Sequence, residues 1–142
     1  MADLKSLIRL RKHNVDEKQK VLAELYRQSE ALEARKNQLE DDLVKERQAL
    51  ENTDDAVVMA YFGRFSVAAR RGIDQIKGQL GKLETRIRIA QDDMREAFAN
   101  LKRIEIVQRN REEAEKKKIQ TRESKELDEI GIEGFRRNGQ QE

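Results

Sequence analysis

Two trains of apolar residues, each advancing in strides of three and four, constrain this chain more than any other feature. From Leu4 to Leu50, fourteen positions follow that rhythm and nine are apolar, the exceptions being Arg11, Lys18, Ser29, Lys36 and Glu46. From Met59 to Ile104 another fourteen positions follow it, and thirteen are apolar, with Ser66 the exception. A mean step of 3.5 residues places one stripe along one side of an α-helix and is the signature of a left-handed coiled coil. Each train therefore predicts one long helix with a single side to bury. Between them the segment ENTDDAVV breaks the rhythm. Asn52, Thr53, Asp54 and Asp55 are all N-cap types, and the acids suit the positive end of a new helix. Two seams of equal length joined by a short link predict an all-α fold, an antiparallel two-helix coiled-coil hairpin.

Equal seams also predict where the pairing ends. Folding the chain at the link sets Leu50 beside Met59 and Leu4 beside Ile104, so nothing in the first helix remains to cover the second beyond about residue 106. The continued frame runs Gln108, Arg111, Glu115, Lys118, Arg122, Lys125 and Glu129, without an apolar residue. The stretch is expected to be a C-terminal helical overhang, carried on from an already nucleated helix and supported by pairs such as Glu112–Lys116, Glu113–Lys117 and Arg122–Glu126. The expected organisation is a single coiled-coil hairpin. Helix one covers about 3–51, the link about 52–56, and helix two about 57–130, unpaired past about 106. A glycine-punctuated tail, 131–142, is expected to be flexible, its Leu127, Ile130, Ile132 and Phe135 approach suited to docking on something. Gly63, Gly72, Gly78 and Gly81 interrupt the second seam; they either loosen the helix or let its partner approach closely.

Composition separates this reading from disorder. Charged residues make up 41% and aromatics 4% of the chain, a balance shared by coiled coils and unfolded chains, but 30 basic and 28 acidic residues nearly cancel and the periodicity is sustained. The same cancellation argues against nucleic acid as a partner, which would call for a basic excess. No apolar run approaches the roughly 18 residues of a membrane span, and the N-terminus has no continuous apolar core of a secretory signal. Direct membrane insertion is not expected, and the absence of cysteine fits a reducing compartment.

Chemistry-bearing constellations are sparse. His13 is the only histidine and there is no cysteine, which leaves no zinc-ligand set. No nucleotide-binding glycine fingerprint occurs. GQLG at 78–81 matches a nucleic-acid loop only by letter count inside a helical seam, and the carboxylates Asp41–Asp42 and Asp92–Asp93 fall on solvent-facing helix positions. A two-helix hairpin offers no enclosed cavity to desolvate a catalytic group, so neither an enzyme nor a cofactor is expected. One cluster stands out: Tyr61, Phe62 and Phe65, three of the six aromatics, lie within five residues beside the bend. They either plug the open end of the hairpin or form a recognition patch. Phe62 is on the seam, and Tyr61 and Phe65 are the ones expected to be exposed.

Three stretches taken together, LKSLIRLRKHNVDEKQKVLAEL, AYFGRFSVAARRGIDQI and the charged helix ending KELDEIGIEGFRR, resemble the flagellar export protein FliJ family. The resemblance implies a stalk-like coiled coil, similar to the central shaft of rotary ATP synthases. It implies binding to the hexameric export ATPase and to the cytoplasmic domain of the export-gate membrane protein, and help in handling export chaperones. It also implies a cytoplasmic location at the inner-membrane export apparatus. On that basis Arg111, Lys118, Ile119, Arg122, Leu127 and Ile130 are expected to face the ATPase ring. Tyr61, Phe62 and Phe65 are expected to face the gate or to close the hairpin. A generic coiled-coil scaffold, a hairpin chaperone or the injectisome counterpart of the stalk are the alternatives.

Overall fold

The computed structural model describes residues 4–140 and consists of two long helices packed against each other, α1 (Lys5–Glu51) and α2 (Ala56–Gln140). The expected all-α hairpin is what forms. Its bend is set by two local devices. Asn52 and Thr53 donate backbone hydrogen bonds to Ala49 and Leu50, three residues back, which tightens and ends α1. Asp55 then caps α2: its side chain accepts from the Val57 amide at 2.9 Å, and its carbonyl accepts the first helical bond from Met59. Of the four cap types in the link, Asp55 takes the role.

Contacts divide the chain into two compact units. One comprises His13–Phe98, the bend and the arms on either side of it. Here the seam positions Ala69, Ile73, Ile76, Leu83 and Ala90 of α2 are buried, as is Val15 of α1. The α1 leucines at 22, 25, 32, 39, 43 and 50 are half-buried. Among the described residues no side chain is fully enclosed, because two helices cover a seam from only two sides. Lys18 and Met59, both assigned to seams, stand exposed; Met59 lies in the first turn after the bend, where α1 has just ended. Lys36 keeps a half-buried seam position by pairing with Glu33 on its own helix. Register is marked by a long-range polar contact, Gln91 Nε2 donating to the Tyr26 hydroxyl at 2.7 Å. Exposed ion pairs such as Lys20–Glu17, Arg88–Glu84 and Arg95–Asp92 run along single helices and are worth about 0.3–0.5 kcal/mol each. The apolar seam carries the fold.

The glycines split into two kinds. A Cβ on Gly72 would stand 3.2 Å from Leu39 Cδ1, whereas those on Gly63, Gly78 and Gly81 would meet nothing within 4 Å. Close approach explains Gly72 alone. Gly78→Ala and Gly81→Ala together are therefore expected to raise stability by about 1–2 kcal/mol, the helix-propensity difference, visible as a higher Tm in circular dichroism. Gly72→Ala should give less, since Leu39 must shift.

The second unit joins the residues up to Lys12 with Ala99 onward. Leu4, Leu7, Ile8 and Arg11 are half-buried, Leu101 is buried and Ile104 is half-buried. Arg11 Nε is enclosed without a hydrogen-bond partner, a cost that a seam arginine incurs. Residues 109–139 are exposed throughout, yet helical throughout. α2 does not stop near 130 but continues through Gly131 and Gly134, because an unbroken hydrogen-bonded helix tolerates single glycines at about 1 kcal/mol each. The last two residues of the expected flexible tail, 141 and 142, lie outside the described residues. No helix among those described is long and apolar enough to cross a membrane.

Candidate functional site

Two surfaces qualify, one in each unit. The first is the C-terminal stretch of α2. All six residues singled out there, Arg111, Lys118, Ile119, Arg122, Leu127 and Ile130, are exposed. Helical geometry sorts them into two sets. Arg111, Lys118 and Arg122 follow at intervals of seven and four and so share one line along the helix. Ile119 and Ile130 are eleven apart, three full turns, and share another line roughly a quarter-turn away, with Leu127 beyond it. Basic and apolar contacts are thus presented on adjoining strips of one rod.

Large apolar side chains on that rod are unusually open: Leu127 is 68% exposed, Ile130 66% and Phe135 80%. Ile130 and Ile132 line a shallow groove with Glu126, Glu129, Glu133 and Arg136. Ile132 and Phe135 belong with the candidate residues, although they stand outside the six. Their signal in the sequence was the return of apolar residues after a long stretch without a seam. Interleaved acids and bases give this surface no strong sign. Glu112 accepts from Gln108 at 3.0 Å rather than pairing with Lys116.

The second surface surrounds the bend. Tyr61 is 59% exposed, while Phe62 and Phe65 are half-buried. Phe65 thus departs from its expected exposure. It is three residues from Phe62 and adjoins Ser66 on the seam. Phe62 and Phe65 are thus partly covered, and Tyr61 is not. Next to Tyr61 an exposed apolar set continues with Val57, Val58 and Met59.

His13 is off the seam, with its side chain 66% exposed and its ring 4.0 Å from Glu17. Among the described residues no group of His, Cys, Asp and Glu side chains is arranged to hold a metal ion.

Comparison with curated proteins and with solved structures gave no match. The family model described as flagellar FliJ protein, in contrast, matches residues 1–140. A match over nearly the whole length, on two helices whose seams and long exposed end are those described above, places this chain in the FliJ family, the non-enzymatic components associated with the flagellar export apparatus.

Proposed function

We propose that this chain is the stalk-like coupling protein of flagellar type III export. Residues about 105–135 of α2, with the N-terminal turns of α1, occupy the central hole of the hexameric export ATPase. The bend, led by Tyr61, turns toward the cytoplasmic domain of the export gate. Phe62 and Phe65 support that end as hairpin packing. Handling of export chaperones, and residence in the cytoplasm at the periphery of the inner-membrane apparatus, belong to the same reading.

One observation carries it: residues 109–139 form a helix with no covered side. Such a helix buries no side against the described residues of its own chain, and its order becomes useful when a surrounding protein supplies the contacts. Mixed charge with scattered apolar groups suits a socket whose subunits change state, because no single strong contact fixes one arrangement. Coupling of this kind is mechanical and electrostatic, without a reacting group on the stalk.

The test compares the full chain with a chain ending at Ile106, in pull-down against the export ATPase and in stimulation of its ATP hydrolysis. The full chain is expected to bind and stimulate, and the truncated chain to do neither. Equal binding after truncation removes the C-terminal stretch from the interface, and no binding by the full chain removes the coupling role altogether.

A further inference from the structure

α2 is apolar on two opposite sides over its first turns. Phe62, Ala69 and Ile73 lie on the seam facing α1. On the other side Val57, Ala60, Arg64, Val67 and Arg71 follow at strides of three, four, three and four, the spacing of a second coiled-coil seam. All five are exposed, Val57 by 75% and Val67 by 52%. Ala60, Gly63 and Ala68 leave a shallow groove along this face, edged by Arg64, Val67 and Arg71. A Cβ on Gly63 would meet nothing, so the groove floor is open. The next positions in the frame are Asp74, Gly78 and Gly81, and the stripe ends there. A helix apolar on both sides is one that a soluble assembly covers on both sides.

Charge identifies what covers it. Arg64, Arg70 and Arg71 are the only charged residues between Ala56 and Ile73. Two of them, Arg64 and Arg71, stand in the stripe itself, one heptad apart. We propose that this face docks a third helix, an amphipathic segment of another protein that carries carboxylates one heptad apart. Its apolar residues would pack on Val57 and Val67, and the small residues Ala60, Gly63 and Ala68 would let its backbone approach closely.

Two other occupants fit less well. A lipid surface takes up helices whose basic residues flank the apolar side, whereas here Arg64 and Arg71 sit in the middle of it, at the greatest depth. A second copy presenting the same face brings two arginines but one carboxylate, Asp74, per chain, so like charges outnumber the opposite charges that could offset them. A carboxylate-bearing helix satisfies both the spacing and the charge. This inference rests on the bend face alone and does not require the ATPase reading.

The experiment uses the full chain and three-heptad synthetic peptides with Ala and Leu on their seam. One peptide has Glu, the other Lys, at seam positions seven residues apart. Fluorescence anisotropy measures binding to the native protein and to an Arg64→Glu/Arg71→Glu double variant, whose exposed sites allow folding to be verified by circular dichroism. The Glu peptide is expected to bind the native chain at least about tenfold more tightly than the Lys peptide, and the preference should reverse in the double variant. Three results overturn the proposal. One is equal or absent binding of both peptides. Another is arginine-dependent binding to phosphatidylglycerol vesicles without a peptide preference. The third is concentration-dependent self-association in sedimentation that the double variant abolishes. The peptides contain no export component, so failure here leaves the ATPase test standing, and failure there leaves this one standing.

Discussion

Leu83→Asp is expected to abolish cooperative folding of the bend unit, while Ile89→Asp, six residues later on the same helix, leaves it folded. Leu83 is 6% exposed and lines the groove against Leu32 and Gln28 of α1, whereas Ile89 is 57% exposed. Removing a buried leucine side chain costs about 2–5 kcal/mol through lost transfer energy and cavity. An aspartate adds the cost of a carboxylate with no partner in the seam. Single small domains hold only about 5–15 kcal/mol in total, and a two-helix seam with no fully enclosed side chain belongs at the low end of that range. Thermal melts followed at 222 nm should therefore show a cooperative transition for Ile89→Asp and a broad, low-temperature loss of helicity for Leu83→Asp. Comparable melts for the two variants would mean that α2 is held by something other than this seam.

That contrast was legible before any coordinates, since Leu83 is on the stride from Met59 and Ile89 is off it. Periodicity located both helices, the bend and the seam, because a 3.5-residue rhythm has one structural solution for chains this rich in charge. It did less well wherever position on the seam and position in the fold diverge. Met59 keeps the rhythm but lies in the first turn of α2 after the bend and is 52% exposed. Phe65 breaks the rhythm yet is half-buried, beside the seam position Ser66. The four glycines along the second seam, Gly63, Gly72, Gly78 and Gly81, looked alike as letters. Only the proximity of Leu39 sets Gly72 apart, and proximity between helices is not written in either helix alone. The second stripe, from Val57 to Arg71, has the same strides as the first but only five members, two of them arginine, and the stronger stripe masks it. The exposure of the C-terminal stretch, residues 109–139, was legible in its lack of a seam. Its continuation past Gly131 was not, because intrinsic glycine penalties say little about a helix already propagating from a long nucleated segment.

Lys118→Pro is expected to separate helix continuity from chain length as the basis of function. Proline at 118 removes one backbone donor and clashes with the carbonyl four residues earlier, at a cost of about 3 kcal/mol. In residues 109–139 little burial offsets that loss, since every one of them is exposed among the described residues. The seam of the hairpin lies wholly N-terminal to the substitution, so its stability should be unchanged. Hydrogen exchange should then show native protection over 69–101 but rates near those of an unstructured chain beyond 118. Lys118→Ala, which removes the charge and favours helix, should keep the protection of the native protein. If the stretch works as a rigid stalk, Lys118→Pro should lose ATPase stimulation as fully as a chain ending at Ile106, although every proposed contact residue other than Lys118 is still present. Lys118→Ala should lose only the share belonging to one exposed charge, about 1 kcal/mol or less. Full stimulation by the proline variant would show that the ring captures a flexible peptide and orders it on binding, and the unbroken helix would then have no mechanical role. The two outcomes divide on one physical point: whether a helix without a buried side transmits force because it is already ordered, or acquires order from the partner that surrounds it.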